Sequence, residues 1–159
     1  MANQVQPIPE GYGTLTTYLT VKDGGAAIDF YKKAFSAEEI CRMPGPDGTG
    51  VMHAELQIGN TRLMLGGEYP GPGAKAPETV KGTTATVHMY VPDVDAAFGR
   101  AIEAGATEMM KPMDMFWGDR MGKVADIFGH HWSIATHIQD LTPEEIDTRA
   151  AEYFANAQC

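Results

Sequence analysis

The sequence predicts an α+β fold: two tandem β-α-β-β-β modules whose curved mixed sheets form a cup, followed by a C-terminal helix. Three observations predict it. The chain repeats itself at an offset of about seventy residues, with Val21-Lys22-Asp23-Gly24-Gly25-Ala26-Ala27 returning as Val91-Pro92-Asp93-Val94-Asp95-Ala96-Ala97. Each copy is preceded by an alternating apolar run and followed by an alanine-rich helical stripe, the signature of a strand feeding a helix. Finally, Thr142-Pro143-Glu144-Glu145 combines a threonine cap, proline at the first helical position and glutamate three after the cap, which starts a separate helix.

In the first module Leu15, Thr17, Leu19 and Val21 alternate with Thr16, Tyr18 and Thr20. Asp23 is an N-cap, and Ala27, Phe30, Tyr31 and Ala34 give the following helix its apolar stripe. Glu38 to Met43 reads as the second strand, closed by Pro44-Gly45-Pro46-Asp47-Gly48. Val51 to Ile58 alternates again, with His53, Glu55 and Gln57 on one face. Gly59-Asn60 then turns the chain into a return strand from Arg62 to Gly66.

Tyr69 to Thr84 is rich in proline and glycine and reads as a linker. In the second module Val87, Met89 and Val91 alternate with Thr86, His88 and Tyr90. A helix from Asp93 buries Val94, Ala97, Ala101 and Ala104 and stops at Gly105. Met109 to Pro112, Lys123 to Ile127 and His131 to His137 read as the remaining strands, with Phe116 to Gly122 as an aromatic, charged loop or edge. Ile146, Ala150, Tyr153 and Phe154 give the terminal helix an apolar edge. The expected organisation is one domain over about 11–140 (module one about 11–68, linker about 69–84, module two about 85–140) and a helix over 141–157.

Composition narrows the function. The chain has 159 residues and a net charge of −9, which argues against nucleic acid and anionic membrane as partners. No apolar run reaches the length of about eighteen residues that a membrane span needs. The start lacks the features of a secretory signal, and the two cysteines, Cys41 and Cys159, give no disulfide framework, so a reduced cytoplasmic setting is expected. A small organic molecule is the expected partner, and uncovered strand edges together with the terminal helix predict a homodimer.

Strand parity then selects candidate site residues. Tyr18 and His88, at matched positions of the two modules, face the cup, with Tyr90, His131, Ser133 and His137. Trp117 and Arg120 are expected at its border. The ligand-binding set is therefore Tyr18, His88, Tyr90, Trp117, Arg120, His131 and Ser133, and the acid–base candidates are His88, His53 and Glu55. His53 and Glu55 read equally as residues of a solvated or dimer-facing sheet surface. His130 reads as a turn residue. Met109, Met110, Met113, Met115 and Met121 read as core and gap fillers, and no thiolate is expected near the pocket.

The words Tyr18-Leu19-Thr20-Val21, Phe30-Tyr31, His53-Ala54-Glu55, Phe116-Trp117-Gly118-Asp119-Arg120 and Phe128-Gly129-His130 resemble the vicinal oxygen chelate superfamily of glyoxalases, dioxygenases and bleomycin-resistance proteins, and within it the PhnB-like subgroup. The resemblance covers roughly Tyr12 to Asp140. It departs at Ile127, where the family usually has proline. It implies the glyoxalase/bleomycin-resistance fold, a homodimer, and in metal-dependent members one divalent ion held by histidine and glutamate. The positions that would carry those ligands are Thr16, Leu63 or Met64, Thr86 and Ser133. None is an imidazole or carboxylate, so no metal is expected there and no cofactor is expected. Two readings follow. One is a binding protein that sequesters a small molecule. The other is a lyase, isomerase or dioxygenase-like enzyme using a His/Glu/Tyr pocket, with or without a relocated divalent metal. For a relocated metal, His53, Glu55, His88 and His131 are the candidate ligands.

Overall fold

The computed structural model describes residues 5–156. Its chain divides into two compact units at Thr83/Thr84. The first contains β1 (Thr17–Val21), α1 (Gly24–Phe35), β2 (Glu38–Met43), β3 (His53–Ile58), β4 (Thr61–Gly67) and the short α2 (Pro77–Val80). The second contains β5 (Thr86–Tyr90), α3 (Val94–Glu103), β6 (Thr107–Asp114), β7 (Asp119–Ala125), β8 (His131–His137) and α4 (Pro143–Asn156).

Each unit carries one four-stranded mixed sheet, in the orders β1-β4-β3-β2 and β5-β8-β7-β6. In both, the strand before the helix lies parallel to the last strand, while the others pair antiparallel. The expected strand–helix–three-strand repeat is therefore present in each unit.

The helices form where the sequence placed them. Asp23 and Asp93 accept from the backbone N–H of Ala26 and Ala96 at 2.9 Å, capping α1 and α3 at equivalent positions. Helix α1 buries Ala27, Ile28, Phe30, Tyr31 and Ala34 against Leu19, Leu56, Leu63 and Leu65 of its sheet. Helix α3 buries Val94, Ala97, Phe98 and Ala101. Phe98 was outside the alanine stripe read from the sequence. It packs on β7 because Gly122 leaves room: a Cβ there would lie 2.9 Å from its ring.

Several boundaries move. Strand β7 begins at Asp119 and ends at Ala125, because β8 pairs with it from His137 back to His131. The stretch read as a strand to Ile127 is instead a turn built on Asp126, whose carboxylate accepts from Phe128 N, His130 N and Trp132 Nε1, each at 2.9 Å. Strand β6 extends over Thr107–Asp114, with its pairing interrupted by irregularities. Met109 and Met113 are 48% and 39% exposed, so they are not core fillers; on an edge strand one neighbour is missing and their outer flank stays open. The linker is not featureless. Glu68 accepts from Ala76 N and Thr79 Oγ1 and pairs with Lys75, which anchors α2. At α4, Thr142 and Glu145 form the expected reciprocal cap, and Tyr153 and Phe154 pack on Phe116 at 5.5 and 5.7 Å.

Candidate functional site

The helices cover one face of each sheet, and the open faces carry the candidate tyrosines, histidines, Ser133 and Glu55. In the first unit the cross-strand register sets Cys41 opposite Glu55, Glu55 opposite Met64, and Met64 opposite Tyr18. In the second it sets Met110 opposite Lys123, Lys123 opposite Ser133, and Ser133 opposite His88. The two rows occupy equivalent places in their sheets. Met64, not Leu63, is thus the counterpart of Ser133. Leu63 is buried on the helix side.

On the second unit's open face, His88 Nδ1 lies 3.0 Å from Ser133 Oγ, and Ser133 donates to Met121 Sδ at 2.9 Å. With that hydroxyl proton committed, His88 Nδ1–H is the donor to Ser133, and Nε2 is left as the acceptor nitrogen. Tyr90 meets the His88 ring edge-on at 4.7 Å and stays 62% exposed, an aromatic platform on a rigid strand. His131 stands opposite Thr86 on the same face.

Beneath this face lies a residue not singled out from the sequence. Asp119 is 3% exposed and accepts from Tyr90 Oη at 3.0 Å, Trp117 Nε1 at 3.0 Å and His137 Nδ1 at 2.8 Å. Burial pushes its carboxyl up, but the hydrogen bonds from His137, Tyr90 and Trp117 outweigh burial and hold it below the usual range. His137 is raised in turn by Asp119 and Asp140. Trp117 and Tyr90 are therefore positioned by one carboxylate. The sequence signal was there in the spacing Trp117-x-Asp119, but a carboxylate at a strand start reads as solvated unless its partners are known.

Arg120 is separated from this group. It faces α3, binding Asp95 through two nitrogens at 2.7 and 2.9 Å and Asp114 at 2.9 Å. Strand alternation places it on the face opposite Met121 and Asp119, so its guanidinium fastens α3 to the sheet.

On the first unit's open face, His53 bridges Tyr18 and Glu55: Nδ1 lies 3.3 Å from Tyr18 Oη and Nε2 lies 3.3 Å from Glu55 Oε1. The other oxygen of Glu55 accepts from the hydroxyl of Tyr12, in the segment before β1. That bond pushes Tyr12 up to about 12 and, with His53, holds Glu55 below the usual carboxylate range. Arg62 lies over the Tyr12 ring at 5.7 Å. Tyr12 was missed because a lone tyrosine between Gly11 and Gly13 carries no periodic signal.

Glu55, Thr16 and Met64 also line a cavity of about 530 Å³ with Pro7, Ile8, Pro9 and Tyr12. Thr16 and Met64 stand at two of the positions to which the family resemblance assigns metal ligands. A threonine hydroxyl and a thioether are poor donors for a hard or borderline divalent ion. At the matching positions of the second unit, Ser133 is already engaged by His88 and Met121, beside Thr86. This donor set does not fit a catalytic divalent metal.

Cys41 corrects one expectation. Its thiol is on the open face, across from Glu55, so a sulfur ligand is available beside His53 and Glu55. The cross-strand register brings it there, which strand parity within one segment does not reveal.

Residues 13–134 match the family described as Glyoxalase/Bleomycin resistance protein/Dioxygenase superfamily. The uncharacterized protein Mb0911c of Mycobacterium bovis is 44% identical over 149 residues, 92% of this chain and 93% of that protein. Among solved structures, TioX from Micromonospora sp. ML1 is similar with a TM-score of 0.64 and 26% identity, over 79% of this chain and 99% of that one. A gene product of Arabidopsis thaliana gives 0.64 and 27%, over 78% and 98%. A putative 3-demethylubiquinone-9 3-methyltransferase, PhnB protein, from Bacillus cereus gives 0.60 and 14%, over 78% and 99%, a likeness in fold alone.

Proposed function

This chain belongs to the glyoxalase/bleomycin resistance protein/dioxygenase superfamily, and from that premise we propose that it binds a small organic ligand without using a metal at the family's ligand positions. The observation that carries this reading is the fate of Thr16 and Met64, which wall a cavity of about 530 Å³ instead of presenting imidazole or carboxylate. That volume is within the range of about 300–1,000 Å³ typical of small-ligand sites. The cavity wall is apolar at Ile8, Pro9 and Met64 and carries the Glu55 carboxylate, which accepts hydrogen bonds. It suits a flat or cyclic ligand bearing an N–H or O–H donor. Arg120, paired with Asp95 and Asp114, is not free to hold an anionic group. In the second unit, His88, Tyr90, His131 and Ser133 form the corresponding ligand wall, with Trp117 fixed beside it. We assign the chain to the PhnB-like part of the superfamily on the motif words and the fold likeness to the Bacillus cereus protein.

The enzyme reading is favoured by one observation: His53 is held between Tyr18 and Glu55, as a general acid or base would be. The test is a compound screen by thermal shift and calorimetry in chelator, followed by Met64→Trp, which fills the cavity, and His53→Gln. The binding reading expects Met64→Trp to abolish binding. Product formation that His53→Gln abolishes while binding persists replaces it with the enzyme reading.

A further inference from the structure

A second kind of site lies on the first unit's open face. Cys41 and Glu55 are cross-strand partners on β2 and β3, and His53 stands two residues from Glu55 on the same strand face. One ligand atom from each (the Cys41 sulfur, a His53 ring nitrogen and a Glu55 oxygen) lies within 4.8 Å of the other two. We propose that Cys41, His53 and Glu55 bind a borderline-soft divalent cation, zinc in the first place, at a position distinct from Thr16 and Met64. The cation site shares Glu55 with the wall of the organic-ligand cavity, but Cys41 and His53 lie outside that lining, and metal titration without any organic compound tests it separately.

The distances are compatible with this. Zinc–sulfur and zinc–nitrogen bonds of about 2.3 and 2.0 Å put the donors of a tetrahedral shell roughly 3.3–3.8 Å apart. Closing from no more than 4.8 Å needs side-chain rotations of the order of 1 Å and leaves the strands in place. Three protein ligands leave a fourth position for water or a ligand heteroatom.

The surroundings fit a ligating set. Tyr18 Oη sits on His53 Nδ1. An ion on Nε2 selects the Nδ1–H tautomer, and that proton then donates to Tyr18, the usual arrangement behind a metal-bound imidazole. Tyr12 holds one oxygen of Glu55 and leaves Oε1 turned to His53. Cys41 is a free thiol, and the side chains of His53 and Glu55 are both 22% exposed, so an ion can reach them.

The duplication supplies an internal control. The equivalent positions of the second unit hold Met110, Met121 and Lys123, two thioethers and a cation. The fold therefore does not require Cys, His and Glu at these points on the sheet. Their coincidence belongs to the first unit alone.

The experiment titrates cobalt(II) and zinc into the full-length chain with Cys159→Ser, removing the other cysteine. About one cobalt per chain is expected, with a thiolate-to-cobalt charge-transfer band. Zinc should displace it. Cys41→Ser should remove the band, and Cys41→Ser and His53→Gln should each weaken zinc at least tenfold, while His130→Gln, in the turn before β8, leaves affinity within about twofold. Cobalt binding without the band, or zinc affinity unchanged in both Cys41→Ser and His53→Gln, overturns the proposal. If circular dichroism shows Cys41→Ser unfolded, alkylation of Cys41 in the parent decides. Zinc should slow iodoacetamide at least tenfold, and equal rates with and without zinc reject the site.

Discussion

The hydroxyl of Tyr18 lies directly over Gly66, so that a Cβ at position 66 would stand 2.6 Å from it and 2.6 Å from the Met52 carbonyl oxygen. Tyr18 is thereby held flat on the open face, within reach of His53 Nδ1. Gly66→Ala should displace both neighbours, and overpacking of this kind costs about 1–3 kcal/mol. Urea unfolding should show that loss. Stability equal to the parent would mean the tyrosine is not fixed there by contact.

Asp126 should be the costliest single carboxylate to remove. It is buried and holds the turn before β8 together with the indole of Trp132, itself 2% exposed. Asp126→Ala strands those donors, at about 1–3 kcal/mol for each that finds no water. The expected result is a loss of about 3 kcal/mol or more in urea unfolding. A loss under about 1 kcal/mol would contradict this account of the turn, set against the donor cost above.

The Asp119–His137 pair should give stability a defined pH window. His137 is raised by Asp119 and Asp140, so its contribution is present below its ordinary value of about 6.5 and is lost as pH rises through the higher folded value. Asp119 is held low against burial by its three donors, so its contribution is present above about 3.9 and is lost as pH falls through the depressed folded value. Melting temperature measured from pH 5 to 9 should therefore fall on the alkaline side in the parent. His137→Gln should flatten that fall, and an identical profile in the variant would contradict the assignment.

Trp117 should matter to ligand binding through its orientation. Asp119 fixes the indole by its N–H. Trp117→Ala and His88→Ala are each expected to weaken binding of a screened compound that contacts the second unit by about tenfold or more, around 1.4 kcal/mol. Calorimetry reads this directly. Unchanged affinity in both variants would remove that face from the site.

Much of the fold was legible because it is written twice. The Asp23 and Asp93 caps, the helix stripes and the alternating strands recur at matched positions, and local rules suffice for each. What stayed hidden depends on register between strands. Met64 could not be chosen over Leu63, nor Cys41 placed beside Glu55, until β4 and β2 were paired with their neighbours. Asp119 and Tyr12 were hidden for a related reason. A buried carboxylate and a lone tyrosine take their meaning from partners distant in sequence, Tyr90 and Glu55 respectively. Arg120 was expected at the border of the ligand site; its pairing with Asp95 and Asp114, on the helix side of the sheet, depends on α3 and β6 being in place.

The most direct test of ligand binding without the family's metal chemistry is a thermal-shift screen of cyclic compounds bearing amine, amide or hydroxyl donors, run in excess chelator on the parent and Met64→Trp. A compound at about one hundred times its Kd adds about 2.7 kcal/mol, which raises the melting temperature by roughly 5–10 °C in a chain of this size. The account predicts such shifts in the parent and none in Met64→Trp. Compound-dependent stabilisation that appears only when divalent metal is restored, beyond the shift that metal alone gives, or that is equal in Met64→Trp, would contradict it.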